Sequence, residues 1–554
     1  MTRRLVLVGA SGLFGERLAR RLMMSPDTVL VLAARRTEPL ERLKERLIAD
    51  GASVVLEISA FDRRRPESLA DLHPWAVVDT SGPFQDAGYG LAHAALKAGA
   101  HYVDIADARG FVAGFAAALD GEARRAGRLA ATGASSTPAL TVAAVQALAG
   151  DWRRIDRIEA AISPGSSAFS GASVIRAALS WAGQPVELFV GGAWRKRRGG
   201  DLLRRLDMPG LGPRWVLLAD TPDLDLLPRR FSVQREALFL AGAELGLETA
   251  AMWLLSLLVR LGFMRSLTPL AAVLSWLAHR LSGLGCDRGG MCVIVEGVDH
   301  NGAVARAQWS LWAAPGIGPY VPVLPAAAIL RGLADGRCAE PGALEAAGLA
   351  PLGAILDEAV GLNIRTRIER GAPDDRSFGR RLMGDGFDRM PLAVRIVHAG
   401  IGRSRFRGHA RARGGAGLAA LARRVAGMPG PGEHPNLEVE IAADANGETW
   451  KRRFGGSVFR SRLRDVGTVI GRFEERLGPL AFAFRAEPDA SGFRWRFEGW
   501  RLGPLPLPLW LAPRIHARSF ARGDAYRFSV AVAHPWVGLM LAYAGELGIV
   551  DPEA

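Results

Sequence analysis

The first quarter of the chain alternates short apolar runs with stretches of helical periodicity. Leu13, Phe14, Leu18 and Leu22 recur at three- and four-residue spacing, which is the pattern of an amphipathic helix. Because such helices alternate with strands, residues 1–148 predict an α/β fold, a Rossmann-type doubly wound parallel sheet with right-handed crossovers. The predicted strands begin the segments RLVLV (4–8), TVLVLAARR (28–36), ASVVLEIS (52–59), WAVVDTSGPF (75–84), HYVDIAD (101–107) and LAATGASSTPAL (129–140).

Residues 149–372 predict an α+β middle domain for substrate binding or dimerisation. Its clearest elements are the strand RIDRIEAAIS (154–163) and two apolar strands joined at DHNG (299–302), a hairpin turn signal. A domain of this kind behind a doubly wound sheet predicts a substrate lobe, with the active site in the cleft between the two.

Residues 248–281 form the most apolar part of the chain. Two uninterrupted apolar runs, Thr249–Val259 and Ser266–Ala278, have 11 and 13 residues, fewer than the about 20 that a bilayer-spanning helix needs. The favoured interpretation is a helical hairpin that is buried or forms a homodimer. The alternative is an interfacial hairpin in peripheral membrane contact, with Trp253 and Trp276 at the lipid headgroups.

Residues 373–554 predict a β-rich C-terminal domain behind a charged linker at 365–381. Strand-like pieces recur between Gly, Pro and Asn turns, and FRWRFEGWRL (493–502) alternates apolar with polar residues. This pattern predicts a mainly antiparallel, curved sheet with one apolar face.

Arginine dominates the charge of the chain. The 554 residues hold 70 Lys and Arg against 56 Asp and Glu, a formal net charge of +14, and four of the cations are lysines. Because the arginines form no compact basic stripe with interleaved aromatics, they predict a solvated surface and no nucleic-acid partner. Three cysteines without a paired spacing, and a first apolar run too short for a signal peptide, favour a cytoplasmic protein.

Three glycines, Gly9, Gly12 and Gly15, directly follow the first predicted strand. In such a strand, turn and helix, the first permits a tight turn, the second lets backbone N–H groups approach a pyrophosphate, and the third lets the helix pack closely. The phosphate then lies at the positive end of the helix dipole. The predicted cofactor-binding loop comprises Gly9, Ala10, Ser11, Gly12, Leu13, Phe14 and Gly15.

Arg35 and Arg36 end the second predicted strand, where NAD-dependent enzymes carry an acidic residue for the ribose. A guanidinium pairs instead with the 2′-phosphate of NADP, so the predicted cofactor is NADP(H). Asp62 either meets the adenine end or caps a helix. The loop after the fourth strand lies at the carboxyl edge of the sheet, where ligands bind. The predicted cofactor-binding residues of that loop are Thr80, Ser81, Gly82 and Pro83.

The segments GASGLFG, AARR, VVDTSGPF, HYVDIAD and TGASSTPAL, in this order and at these separations, resemble the NADP-binding domain of saccharopine dehydrogenase-like oxidoreductases. The resemblance covers residues 1–148 and continues more weakly into the middle region. It implies an NADP(H)-linked oxidoreductase with the nicotinamide near Ser81, Gly82 and Pro83. The C-terminal segments LMGDGFDRMPLAVRIVHAG, ETWKRRFGG and HPWVGLMLAYAGEL resemble a domain of unknown function found fused behind saccharopine dehydrogenase-like domains.

Hydride transfer commonly needs a group that delivers or removes a proton. Tyr102 and Asp104 are the candidate catalytic residues, because the end of their strand should face the cleft; alternatively, Tyr102 packs between domains and Asp104 caps the next helix. Since no tyrosine is followed by a lysine four residues on, the tyrosine–lysine pair of short-chain dehydrogenases is excluded. His398, His409 and His534 lack a second ligand at a metal-binding spacing, so no metal site is predicted.

These observations favour an NADP(H)-dependent oxidoreductase that acts on a hydrophobic, lipid-like small molecule. The apolar segment 248–281 suits such a substrate, and enoyl reduction in some relatives of the family implies an acyl-type one. An amino-acid or imino-acid dehydrogenase is one alternative. A non-catalytic NADP(H)-binding sensor or scaffold is the other, because the sequence identifies no certain proton donor.

Overall fold

The computed structural model describes the chain except residues 1, 25–26, 86, 167–171, 339, 372–377, 399–402, 426, 445–446, 467–470, 504, 524 and 550–554. The predicted N-terminal strands form where apolar runs allow burial on both faces. These strands are β1 (Arg3–Val8), β2 (Thr28–Ala34), β3 (Val55–Ala60), β4 (Ala76–Asp79), β5 (His101–Asp104) and β6 (Leu129–Thr132). The helices are α1 (Leu13–Leu22), α2 (Glu38–Ala49), α3 (Gly90–Lys97), α4 (Arg109–Ala126) and α5 (Thr141–Ala149).

The middle of the chain adds strands and helices in mixed order. Its strands are β7 (Arg154–Ser163), β8 (Pro185–Val190), β9 (Ala193–Arg198), β10 (Arg204–Met208), β11 (Gly212–Leu218), β12 (Glu236–Ala241), β13 (Gly290–Val298), β14 (Val304–Ala313), β15 (Gly342–Glu345) and β16 (Ile364–Gly371). Its helices are α6 (Ala172–Trp181), α7 (Asp223–Arg230), α8 (Gly246–Arg260), α9 (Ala271–Leu281), α10 (Leu324–Ala334) and α11 (Leu352–Asp357).

The first sheet is the predicted doubly wound parallel sheet. Among the described residues it has seven strands in the order β15-β6-β5-β4-β1-β2-β3. Because β1 pairs with β2 on one side and with β4 on the other, the winding reverses between β1 and β4, where open α/β sheets bind ligands. The seventh strand corrects the predicted limits of 1–148 and 149–372: β15 pairs with β6 and belongs to the first sheet.

The second sheet has nine strands within the described ranges, in the order β10-β11-β12-β7-β13-β14-β16, with β8 and β9 extending from β12. The predicted hairpin is confirmed, since β13 pairs with β14 up to Val298 and Val304. Gly302, with φ of +77°, closes its turn, and the Ala303 N–H donates to the Asp299 carboxylate at 2.8 Å.

The apolar segment 248–281 forms α8 and α9, but much of its apolar surface is exposed. Ala271 and Ala278 of α9 are buried, whereas Leu254 and Trp276 are exposed. The expectation of a buried hairpin is therefore only partly met. In the part of the chain that the structure describes, no helix is long and apolar enough to cross a membrane.

The C-terminal sheet closes on itself, which the sequence did not predict. Ten described strands form an antiparallel barrel because β22 pairs with β23, and β24 extends from β23. Its strands are β17 (Arg403–Arg413), β18 (Gly432–Asp444), β19 (Gly447–Phe454), β20 (Ser457–Asp465), β21 (Arg472–Leu477), β22 (Leu480–Asp489), β23 (Gly492–Leu502), β24 (Leu505–Pro506), β25 (Arg514–Arg522), β26 (Ala525–His534) and β27 (Gly538–Ile549).

Short helices pack into the core of the barrel. They are α12 (Phe378–Met383), α13 (Asp385–Asp388) and α14 (Leu392–His398). His398 is buried there, with its ring 4.9 Å from that of Phe493. After β17, α15 (Leu418–Val425) contacts β27 instead, with Leu418 and Leu421 exposed. The predicted linker at 365–381 includes β16 and α12, while its residues 372–377, at the predicted domain limit, lie outside the described residues.

Arg109 joins the first sheet to the middle domain. At the start of α4, its guanidinium donates to both carboxylate oxygens of Asp225 at 2.5 and 2.6 Å, to Asp220 at 2.9 Å and to the Glu187 carbonyl at 2.7 Å. The side chain is only 12% exposed. Since two-point guanidinium–carboxylate pairing is directional, this contact fixes how the two sheets face each other.

Replacing Arg109 with Ala should destabilise the protein by about 3 kcal/mol, because two partly buried carboxylates lose their counterion. Calorimetric melting checks this. Arg124→Ala is the matched control in the same helix: that guanidinium pairs with Asp120 but is 67% exposed, so solvent screens the pair and its loss should change the melting temperature little. Equal melting temperatures for the two variants would contradict the role of Arg109.

Candidate functional site

A cavity of about 1240 Å³ lies between the carboxyl edge of the first sheet and one face of the second. The loops that follow β1 to β6 form one wall. Leu217 of β11, Phe239 of β12 and Met291 of β13 contribute to the opposite wall, together with residues of α6 and α8. The cavity therefore lies at the winding reversal, where the fold leaves room for a ligand.

The glycine loop has the geometry that a dinucleotide site requires. Gly9 has φ of +81°, and a Cβ there would lie 2.9 Å from the Ser81 Cβ. A Cβ on Gly15 would lie 2.2 Å from the Gly9 carbonyl oxygen. Gly12 precedes α1 without a capping side chain, so the first-turn N–H groups, which lack intrahelical acceptors, can bind a phosphate. The residues present thus fit a dinucleotide.

All but two of the predicted cofactor residues line the cavity. Ala10 and Gly15 do not: Ala10 is buried, and Gly15 allows α1 to pack on the loop. The residues that do line it are Gly9, Ser11, Gly12, Leu13, Phe14, Arg35, Arg36, Asp62, Thr80, Ser81, Gly82 and Pro83.

Two of these lining residues also form hydrogen bonds within the protein. The Asp62 carboxylate accepts the Arg64 N–H at 3.0 Å and so caps a turn. It does not cap a helix, because the next helical turn begins at Pro66 without a side-chain cap. The Thr80 hydroxyl donates to the Val8 carbonyl at 2.8 Å, which ties the loop after β4 to β1. Arg35 and Arg36 are exposed at the cavity edge, as a site for a 2′-phosphate requires.

Arg63, which sequence reasoning missed, holds the loop after β4 in place. Its guanidinium donates to the Ser81 carbonyl at 2.9 Å, pairs with Asp79 at 3.2 Å and lies 5.0 Å from the centre of the Phe84 ring. Asp79 in turn accepts the Ser81 N–H at 2.9 Å. Burial raises the pKa of Asp79, and the charge of Arg63 opposes that shift. The loop is thus fixed before any ligand binds.

Tyr102 and Asp104 do not line the cavity, which corrects their predicted catalytic role. Asp104 is fully buried and accepts hydrogen bonds from the Ala106 N–H, the Gly133 N–H and the Thr132 hydroxyl at 2.9 to 3.0 Å. Burial raises the pKa of Asp104 to about 7. Tyr102 is buried in stacked contact with Phe115. Asp104 therefore ties β5 to the loop after β6, a structural role.

Besides Asp62 and Asp220, whose partners are described above, Glu248 and Asp107 line the cavity. Glu248 lies in the first turn of α8, and within the described structure neither buried carboxylate oxygen has a hydrogen-bond partner. Burial, and then the charge of Glu244, raises the pKa of Glu248 to about 7. Asp107 has Gln85 as a partner at 3.5 Å, and burial raises its pKa. Sequence carries no signal for Glu248, because an acid in a first helical turn is ordinary.

The middle-domain wall of the cavity is largely apolar. Its apolar side chains are Ile162, Val174, Trp181, Leu217, Phe239, Met252 and Met291. Of the charged residues there, Asp220 is paired with Arg109. No group of three or more His, Cys, Asp or Glu among the described residues is arranged to hold a metal ion.

Family models match both ends of the chain. Residues 5–131 match the model described as saccharopine dehydrogenase NADP binding domain, and residues 390–547 match the domain of unknown function DUF4166. Both predicted resemblances are confirmed. The N-terminal domain is thus of the saccharopine dehydrogenase NADP-binding type, which supports the predicted cofactor NADP(H).

Two of the solved structures that resemble this chain are dehydrogenases. Apo saccharopine dehydrogenase (L-Glu forming) from Saccharomyces cerevisiae is 12% identical, with 66% of this chain and 100% of that chain covered and a TM-score of 0.48. An engineered D-amino acid dehydrogenase bound to NADP⁺ is 15% identical, covers 65% of this chain and 99% of its own, and has a TM-score of 0.35. No curated protein matches the sequence significantly.

Replacing Gly9 with Ala should weaken NADPH binding at least about tenfold, which corresponds to 1.4 kcal/mol. The added methyl group is strained at this φ and displaces Ser81. Fluorescence titration with NADPH measures the effect. Gly88→Ala is the control, since Gly88 also lines the cavity but a Cβ there meets no atom within 4 Å. Unchanged affinity in both variants would contradict the assignment of the loop.

Proposed function

We propose that the chain is an NADP(H)-dependent oxidoreductase that binds its cofactor and a hydrophobic, acyl-type substrate in the same cavity. The observation that carries this proposal is that two chemically different walls face each other across the cavity. One wall has a glycine loop and exposed arginines, and the other is largely apolar and contains an unpaired carboxyl group. The family match of residues 5–131 supports the cofactor.

The first wall offers a contact for each part of the cofactor. Backbone N–H groups of residues 9–15 would hold the pyrophosphate at the start of α1. Arg35 and Arg36 would bind the 2′-phosphate. The loop of residues 80–83, which Arg63 fixes, would hold the nicotinamide end at the middle-domain wall.

Replacing Arg35 with Asp should raise the Kd for NADPH about 100-fold and change that for NADH less than about threefold. Only NADPH carries the 2′-phosphate that the guanidinium binds, and this difference corresponds to 2–3 kcal/mol. Thermal shift titrations with each cofactor measure both constants. Arg42→Asp is the control, because Arg42 is exposed and pairs with Glu38 in α2. Equal weakening of both cofactors would contradict the role of Arg35.

The second wall favours an unsaturated acyl substrate. The chain reduces a conjugated carbon–carbon double bond by adding one hydride and one proton, and NADPH when bound supplies the hydride. Glu248 delivers the proton, because its carboxyl group is buried without a partner and its pKa of about 7 keeps much of it protonated at neutral pH. After it has donated the proton, Glu248 is a carboxylate. It must take up a proton from water before the next turnover.

Because Glu248 acts in its protonated form, kcat/KM for NADPH oxidation with an enoyl thioester should fall as the pH rises through about 7. Glu248→Gln should remove this dependence and lower the rate about 100-fold. Asp107→Asn is the matched variant, because Asp107 also lines the cavity and has no other role in the account above. If Asp107→Asn removed the pH dependence and Glu248→Gln kept it, the assignment of the proton donor would be wrong.

The same pKa predicts a change in stability that does not depend on turnover. The pKa of Glu248 is raised from 4.5 to about 7 in the folded protein, so between these values the folded chain binds a proton that the unfolded chain lacks. The contribution of Glu248 to the free energy of unfolding is therefore fully present below pH 4.5. It is lost as the pH rises to about 7. Melting curves at pH 5 and pH 8 should show that Glu248→Gln is more stable than the native protein only at the higher pH. The reverse order would contradict burial of the carboxylate.

A further inference from the structure

Helices α8 and α9 and the loop between them carry large, exposed apolar side chains, six of which are here called the hairpin face. Phe263 is 75% exposed and Trp276 is 61% exposed. The hairpin face comprises Leu247, Leu254, Leu261, Phe263, Val273 and Trp276. Exposed apolar residues at this density mark an interaction surface. Trp253, which the interfacial interpretation also placed at a headgroup, is half-buried instead.

Within residues 246–284 the exposed charges are positive, although Arg260 is paired with Asp201 from outside this segment. Arg260, Arg265 and Arg280 lie in the same segment, and the Arg280 guanidinium lies 5.4 Å from the centre of the Trp276 ring. The one acid between residues 246 and 284 is Glu248, whose carboxylate oxygens are buried toward the cavity. The hairpin face is therefore apolar with a positive border.

A basic strand adjoins the hairpin. In β9, residues 194–198 read WRKRR and all are exposed. The strand is anchored beside α8: a Cβ on Gly200 would lie 3.0 Å from the Ser256 Oγ, and Asp201 pairs with Arg260 at 2.8 Å. The basic strand β9 thus lies beside the hairpin, and because side chains alternate along a strand, Arg195 and Arg197 share one of its faces.

One layer of helices separates the hairpin face from the cavity. Helices α6, α8 and α9 share a small core that includes Ile175, Leu179 and Ala271. The inner side of this layer lines the cavity through Trp181 of α6 and Met252 of α8. A surface bound to the hairpin face would consequently lie one helix diameter from the substrate.

We propose that the hairpin face and the basic strand dock together onto an anionic phospholipid membrane, from which the cavity takes an acyl lipid. Apolar side chains enter the interface, while Lys and Arg are attracted to the anionic surface. A second copy of this chain is disfavoured as the occupant, because a two-fold interface would bring like charges together. The lipid nature of the substrate rests on the proposed function; the docking does not.

Vesicle flotation tests the docking without substrate or turnover. The full chain should float with phosphatidylcholine vesicles that contain phosphatidylglycerol, and at least about tenfold less with phosphatidylcholine alone or at high salt. Trp276→Glu should lose at least about tenfold in vesicle affinity. So should the double variant Arg195→Glu, Arg197→Glu. Each variant should keep the native melting temperature and NADPH affinity, because these side chains are exposed.

Trp536→Glu is the matched control, since Trp536 is 67% exposed but lies on the C-terminal barrel. This variant should float like the native protein. No flotation of the native chain, equal flotation with neutral vesicles, or loss in Trp536→Glu rather than Trp276→Glu would overturn the proposal. So would a vesicle-independent dimer that Trp276→Glu converts to a monomer, because that result assigns the hairpin face to a second copy.

Discussion

The contact between Gly9 and Ser81 is the constraint on which the rest of the site depends. Because no Cβ fits between the loops that follow β1 and β4, these loops approach closely at the winding reversal of the sheet. Arg63 and Asp79 then fix the Ser81 loop from the other side. These two loops, next to the uncapped start of α1, lie where open α/β sheets bind their ligands.

The middle domain covers the carboxyl edge of the first sheet and gives the cavity an apolar wall. Arg109 links α4 to Asp220 and Asp225, and the sheet face that carries Leu217, Phe239 and Met291 covers the carboxyl edge of the first sheet. Water-poor surroundings favour hydride transfer and also keep a carboxyl group protonated. The same burial that makes the wall suitable for an acyl chain therefore raises the pKa of Glu248.

The first sheet and the loops that line the cavity at its carboxyl edge could be predicted because their signals are local: apolar runs, glycines at fixed spacing and polar residues at strand ends. Long-range contacts could not. The pairing of β15 with β6 joins segments more than 200 residues apart, and closure of the barrel depends on β22 meeting β23. Asp104 looked catalytic because strand ends face the cleft, but the loop after β6 covers it. Glu248 becomes a candidate proton donor only in the folded chain, which buries its carboxyl group in the cavity without a hydrogen-bond partner.

Oxidation of NADPH by enoyl thioesters of increasing chain length tests the central claim most directly. If the cavity binds cofactor and acyl chain together, kcat/KM should rise up to about fourfold with each added methylene until the apolar wall is covered, since burying one methylene contributes about 0.8 kcal/mol. The rate with NADH should be lower throughout. A kcat/KM that is independent of chain length, no oxidation at any length, or faster oxidation with an imino acid would contradict the account.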